Sequence, residues 1–352
     1  MPKETMSPRE RWLAVLGRER PDRVPMDFWG TDETVAALAK HLGCADRRQA
    51  LERLHVDFVV KLEPRYAGPS LAPGHDAFGR AYRKVAYETG VYDECVNTPL
   101  AVYGSVAEIE RNYVWPNPDW WDYSGVAAEA RGLEAHPVQA GGSEPFLIYK
   151  DLRGQEQAFV DLVENPGIVH HCLDKLFDLA YENTRRMFET LPGRVTFTYV
   201  AEDMGGQTDL MMSMAHIREF LLPRMKRIID LSHQGGAFVF HHNDGAVRRI
   251  LPEMIAAGID LLNPIQWRCG GMEREALKRD FGAQVVFHGG MDNQRTLPFG
   301  TADEVRREVL DNLRLLGADG GYILAPCHNL QALTPPENIV AMYETCYENG
   351  WS

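Results

Sequence analysis

From residue 195 onward the chain repeats one unit five times: a short apolar run, a polar turn and an amphipathic stretch of helical period. The runs are "VTFTYVAED" (195–203), "AFVFHH" (237–242), "IDLLNPI" (259–265), "AQVVFHGG" (283–290) and "GGYILAP" (320–326). Helical patterns at 155–190, 214–234, "AVRRILPEMIAAG", "REALKRDFG", "TADEVRREVLDNLRLLG" and "PPENIVAMYETCYENG" precede, separate or follow them. Short apolar strands joined by single helices cannot pair antiparallel through tight turns, so the pattern implies a parallel sheet covered by helices. Three earlier runs, "VPMDFW" (24–29), "VDFVVKL" (56–62) and "PFLIY" (145–149), bring the expected strands to eight. Eight alternating units predict a closed (β/α)₈ TIM barrel, whose usual size is about 250 residues before insertions. An open doubly wound sheet is the alternative, and no Gly-rich GxGxxG follows the first strand to support it.

The rest of the 352 residues reads as additions to one barrel domain spanning 1–352. "SPRERWLAVLGRERP" opens with Ser7 as helix cap and Pro8 at the first helical position, giving an N-terminal helical extension. "TVAALAKHLG" and "RRQALERLH" are further amphipathic helices, and a short helix is expected around 125–134. An insertion occupies about 63–135; within it, alternation over 80–103 around a Glu-Thr-Gly turn predicts a β-hairpin. "WPNPDWWDYS" is a connector in which Trp115 and Trp120 either pack locally or wall an apolar ring.

A formal charge of −13 excludes nucleic acid and an anionic membrane surface as partners, because both require a basic face. Six cysteines stand singly with no CxxC pair, which fits reduced thiols rather than a disulfide framework. The charged N-terminal stretch lacks a signal core, and no run approaches the ~20 apolar residues of a membrane span. A cytoplasmic location is the expectation.

Barrels keep their chemistry at the C-terminal ends of their strands. Those ends here carry Glu202, Asp203 and Gln207; His241, His242, Asn243 and Asp244; Asn263 and Gln266; His288 and Asp292; and Cys327, His328 and Asn329. Singly, each has a structural explanation: a satisfied core histidine, or a helix cap in the case of Asp203 and Asp292. Five consecutive strands ending this way point to one shared polar pocket. Imidazole, carboxylate and thiolate together are zinc's ligand types, though candidates on separate strands have no diagnostic spacing.

Four segments, "SPRERWLAVLGRERPDRVPMDFW", "FHHNDGAVRRILPEMIAAGIDLLNPIQ", "FHGGMDNQRTLP" and "ILAPCHNLQALTPPENIVAMYE", resemble the uroporphyrinogen decarboxylase superfamily over about residues 7–349. The resemblance implies the (β/α)₈ fold independently of the strand count. It is to the branch of corrinoid-dependent methyltransferases rather than to the haem-pathway decarboxylases, because "RVPMDFWGTDETVAALAKHLG" lacks the arginine pair that holds a polycarboxylate. Many members of that branch bind zinc through His-x-Cys and a later Cys. His242 matches the histidine, Cys327 the last cysteine, and Asp244 stands where the middle cysteine would be, so the implied zinc set is His242, Asp244 and Cys327. The aspartate puts thiol activation in doubt.

The implied activity is transfer of a methyl group from a small methylated donor, an ether or amine, to the cobalt of a corrinoid protein. Glu202, Asp203 and His328 are the acid–base candidates, and Gln207, Asn263, Gln266, His288, Asp292 and Asn329 the substrate-binding candidates. No Asp-x-His-x-x-Gly motif occurs, so the cobalamin is expected on a partner protein. Barrels of this family commonly pair, which leaves a homodimer open. Three alternatives stay open: a metal-independent lyase using Asp203 or His288, transfer from corrinoid to an acceptor, and a barrel that binds without catalysis.

Overall fold

The computed structural model describes residues 3–87 and 90–351. Its centre is a curled, all-parallel sheet whose seven strands follow chain order. They are β1 Val60–Lys61, β2 Val138–Ser143, β3 Phe197–Ala201, β4 Phe238–His242, β5 Leu261–Asn263, β6 Val286–Met291 and β7 Tyr322–Pro326. Helices pack around it, the longest being Pro166–Thr190, so the architecture is TIM-barrel-like. Inside the curl Phe197, Phe240, Leu261, Val286 and Ile323 pack on Trp12, which the first helix, Pro8–Leu16, carries across the opening. The Trp12 ring stacks on Phe197 with centroids 5.3 Å apart. That helix starts where its sequence says: Ser7 and Glu10 form a reciprocal capping box, with Pro8 next to the cap.

Two of the eight expected strands are realised differently. "PFLIY" is the start of a helix, Pro145–Arg153, and the strand lies just before it at Val138–Ser143. Pro145 sits at the first helical position, and Phe146, Tyr149 and Leu152 fall on one buried face at helical rather than alternating spacing. The real strand is disguised by "GG": a Cβ on Gly142 would lie 1.8 Å from the Tyr199 carbonyl oxygen, so no side chain fits there.

Segment 24–29 forms isolated bridges, Met26 to Leu324 and then Gly30 to Leu330, instead of a continuous strand. Pro25 has no N–H, so the ladder to β7 consists of Leu324 N–H to Pro25 O and Asp27 N–H to Leu324 O, both 2.9 Å. On its other side one backbone bond reaches the β1 segment, Asp57 N–H to Met26 O at 2.7 Å. Within the inserted region, Tyr82–Tyr87 and Gly90–Cys95 pair antiparallel as the alternation predicts, while the expected turn at 88–89 lies outside the described residues. No helix among the described residues is long and apolar enough to cross a membrane.

What replaces the missing ladder is a buried ion cluster. Arg23 Nη1 donates to Asp57 Oδ2 at 2.8 Å, Arg11 Nη1 to Asp57 Oδ1, and the Met26 amide to Asp57 Oδ2 at 3.0 Å. Arg11 also holds Asp22 through Nε at 2.7 Å. Arg11, Arg23 and Asp57 are all within 2% of full burial, so removing the carboxylate takes a buried ionic partner from both guanidinium groups. Asp57→Ala is therefore expected to cost about 3–5 kcal/mol in chemical denaturation; a loss near that of a surface substitution would contradict the clamp. Burial raises the Asp22 carboxyl, but hydrogen bonds from Arg11 and from the amides of Thr5 and Met6 outweigh it and bring it down to about 2. With an unfolded value near ~3.9, its contribution is complete above that pH and is lost as pH falls toward 2. The thermal midpoints of wild type and Asp22→Asn should accordingly converge over that window, and a constant difference would refute the assignment.

Candidate functional site

The strand ends that the sequence singles out do meet, and the sheet register explains how. His242 pairs with Ala201 on one side and Asn263 on the other, and Phe287 pairs with Leu262, which brings His288 level with Asn263. Their side chains join in a line. His242 Nδ1 contacts Asn263 Oδ1 at 2.5 Å, Asn263 Nδ2 contacts His288 Nδ1 at 2.7 Å, and His288 Nε2 contacts Asp27 Oδ2 at 3.0 Å. All four residues are at most 5% exposed. His241, one position earlier, has the alternate direction. Its Nδ1 donates to Val200 O at 2.7 Å, and burial takes its pKa down to about 4, so it stays neutral and structural.

The acid at the end of the line sets every proton in it. Asp27 Oδ2 already accepts from Trp29 Nε1 at 2.9 Å, and Oδ1 from the Phe28 amide at 2.8 Å. An ionised carboxylate only accepts, so His288 must carry its proton on Nε2 and leave Nδ1 as acceptor. Asn263 then donates its amide to His288 and turns its oxygen to His242, which must carry its proton on Nδ1. The lone pair of His242 Nε2 is left pointing away from the line. This is the tautomer and the outer-shell support of a metal-ligating histidine.

That lone pair faces carboxylates. Asp203 Oδ1 lies 3.6 Å and Asp244 Oδ1 4.0 Å from His242 Nε2. One ligand atom of each of the three residues lies within 4.8 Å of the others. The Asp244 amide donates to Asp203 Oδ1 at 3.2 Å, fixing the two loops together, and a Cβ on Gly205 would sit 2.3 Å from Asp244 O. Asp244 Oδ1 is buried with no hydrogen-bond partner. Burial raises the Asp244 carboxyl, His242 opposes the rise and Asp203 adds to it. A lone pair and two carboxylate oxygens this close repel one another unless a proton or a cation lies among them. With metal–ligand bonds of about 2.0–2.2 Å, tetrahedral ligand atoms are roughly 3.3–3.6 Å apart; the His242–Asp203 separation matches this and the His242–Asp244 separation is wider, so a small divalent ion would fit with the Asp244 carboxylate drawn inward. Trp29 and Tyr199 stack on the His242 ring, centroids 5.6 and 5.8 Å away. The Tyr199 hydroxyl donates to Glu144 Oε1 at 2.7 Å; burial and that carboxylate push its pKa up, so it remains a phenol.

The other expected residues are distributed as follows. Cys327 stays outside the His242–Asp244 group, whose third member is Asp203. Its Sγ contacts Ile265 O at 3.2 Å, and burial pushes the thiol well above its ordinary value. His328 is half exposed with Nε2 4.0 Å from Asp244 Oδ2. Both oxygens of the buried Glu202 accept from the Phe146 amide, at 2.8 and 3.0 Å, so it holds the start of helix Pro145–Arg153. Gln266 Oε1 accepts from the Gly245 amide at 2.7 Å, and Gln207 is tied to the 269–270 loop through its carbonyl and side chain. Asp292 pairs with Arg268 and accepts from the Gln294 and Thr296 amides in the turn before helix Thr296–Phe299, whose cap position is Arg295 rather than Asp292. Asn329 is exposed. Asp27, Trp29, Tyr199 and Glu144 were not among the candidates; for Asp27 a signal existed, since it is the polar residue in "VPMDFW".

The family model described as uroporphyrinogen decarboxylase (URO-D) matches residues 133–349. Curated relatives include uroporphyrinogen decarboxylases from an Anaeromyxobacter species and from Legionella pneumophila. Each is 24% identical, over 60% and 64% of this chain and over 54% and 58% of the relative. The chain thus spans a little over half the length of those relatives. Among solved structures, a methyltransferase from Methanosarcina mazei superposes with a TM-score of 0.70 at 20% identity, covering 97% of this chain and 99% of the other. That likeness is one of fold.

The hydrogen-bond line makes a sharp statement about two rings. In nitrogen-15 spectra of histidine-labelled protein, His242 is expected as the Nδ1–H tautomer and His288 as Nε2–H; the same tautomer at both would rule out this hydrogen-bond line. Asn263→Leu strands a donor and an acceptor in the core and should lower stability by about 2 kcal/mol or more, measured by denaturant titration.

Proposed function

The chain belongs to the uroporphyrinogen decarboxylase family, and we propose that within it the barrel mouth is a methyl-transfer site. It takes a small methylated ether or amine and passes the methyl group to a corrinoid carried by a partner protein. The observation that carries the reading is the convergence of a fixed imidazole lone pair with two carboxylates, one of them holding an orphaned buried oxygen. We assign the cation to Asp203, His242 and Asp244, with zinc as the ion that best suits an imidazole beside carboxylates. Such an ion supplies Lewis-acid stabilisation of charge on a leaving oxygen or nitrogen.

The residues of the chain do the remaining work. The carbon–heteroatom bond breaks with both electrons on the heteroatom while the methyl group goes to the cobalt(I) acceptor, so the heteroatom must gain a proton. His328, half exposed beside Asp244, is the donor this reading assigns, and it recovers its proton from solvent. Asn329 at the rim orients the donor. Asn263 and His288 act through His242 as positioning residues, since their hydrogen-bonding atoms are already engaged. Trp29 and Tyr199 shield the His242 ring from water. The names of the curated relatives favour a second reading, decarboxylation of a polycarboxylate. Three carboxylates at this mouth, Glu144, Asp203 and Asp244, oppose a polyanion electrostatically.

Metal content and methyl transfer test both points. About one divalent ion per chain is expected, lost in His242→Ala and Asp203→Asn and retained in Cys327→Ala. Loss in Cys327→Ala with retention in Asp203→Asn would restore the His242, Asp244 and Cys327 set. Asn263→Leu should weaken metal binding about 10–100-fold. Incubation with reduced corrinoid protein and methylated ethers or amines should give methyl-corrinoid absorbance, slowed about 100-fold or more by His328→Ala. Metal-free protein that decarboxylates at full rate would overturn the reading.

A further inference from the structure

A second chamber lies on the flank of the barrel, where segment 24–29 is joined to the chain leading into β1 by a single backbone bond, at Asp57, and the wall is left open. It has a volume of about 360 Å³, within the usual range for small-molecule sites. Phe28, Trp29, Phe58, Val59, Phe197 and Phe240 form apolar walls, and Asp27 closes the floor. None of Asp203, His242 or Asp244 lines it; Trp29, stacked on both Phe240 and His242, stands between the chamber and the cation site.

The polar groups around this chamber are not equivalent. Of its three cations, Arg48 is paired with Glu52 at 2.7 Å and Lys61 with Glu63 at 2.7 Å. Arg47 makes no ion pair or hydrogen bond among the described residues; its guanidinium lies over the Phe28 ring, 5.4 Å from the centroid. His136 also lines the chamber, stacked on Phe58 at 4.2 Å, and its buried Nδ1 has no partner. Burial, and then repulsion from Arg48, lower the pKa of that imidazole and keep it neutral. An aromatic box with one uncommitted cation at its rim and one unsatisfied neutral imidazole in its wall matches an apolar body bearing a single negative charge.

We propose that this flank chamber binds a small amphipathic monocarboxylate, with its apolar part among Phe28, Phe58, Phe197 and Phe240 and its carboxylate on Arg47. The site is independent of the methyl-transfer reading. Its occupant would touch Trp29 and Asp27, the two residues that brace the His242 line from behind.

Phenylbutyrate and its neutral amide are suitable probes, titrated against the full chain by calorimetry while the His136 ring protons are followed by NMR. Phenylbutyrate should bind with a Kd on the order of 1 mM or tighter and shift the His136 signals. The amide should bind about tenfold more weakly. Arg47→Gln, an exposed substitution, should bring acid and amide to equal affinity. Val59→Trp, which fills the chamber, should abolish both. No binding of phenylbutyrate, equal binding of the two probes to wild type, or unchanged binding in Arg47→Gln would each overturn the proposal, and the last does not depend on how Val59→Trp folds.

Discussion

The burial of Asp57 between two guanidinium groups is the constraint from which the site follows. An unpaired buried charge costs several kcal/mol, so once Arg11 and Arg23 are inside, the carboxylate must meet both, and its remaining lone pair takes the Met26 amide. That fixes a segment which, with Pro25 in it, has too few ladder bonds to be fixed as an ordinary strand. Asp27 is the next residue along. Its position decides where His288 can donate, and through Asn263 the effect reaches the ring nitrogen of His242 that faces Asp203 and Asp244. A structural ion cluster at one end of the sheet thus determines the electronic state of an imidazole four residues of the network away.

Much of this was visible in the residues. Strands four to eight of the expected series lie where apolar runs bounded by helical patterns put them, and the ends of strands four and five bring Asp203, His242 and Asp244 together. What spacing could not supply was direction. His241 and His242 look alike in sequence, yet pleating sends one to a backbone carbonyl and the other into the mouth. Glu202 and Asp203 differ in the same way: one braces a helix start, the other faces the imidazole. The family resemblance alone points to the sulfur of Cys327, whose thiol is engaged with Ile265 O. The misplaced strand at 145–149 had a different cause. Two glycines make the true strand look like a loop, because the Thr184 side chain at Gly141 and the Tyr199 backbone at Gly142 occupy the space where a side chain would be.

The resulting mouth is anionic, which suits a family member lacking the arginine pair expected for a polycarboxylate. Family membership alone does not choose a substrate, since one barrel supports many chemistries through the groups at its strand ends. The choice here rests on charge. Carboxylates at positions 144, 203 and 244 attract a positive centre and repel a polyanion.

The seam between the first segment and β7 also bears on how such a chain acquires its shape. The Tyr343 hydroxyl donates to Asp27 O across 316 positions of sequence, and Thr34 reaches Leu330 across 296. On a ribosome, residues 24–30 therefore emerge long before the partners that cover them have been made. Contacts that far apart in sequence close slowly. The Arg23–Asp57 bond spans only 34 positions, so the nascent chain can tether its earliest apolar segment at once and hold it until the last strand arrives.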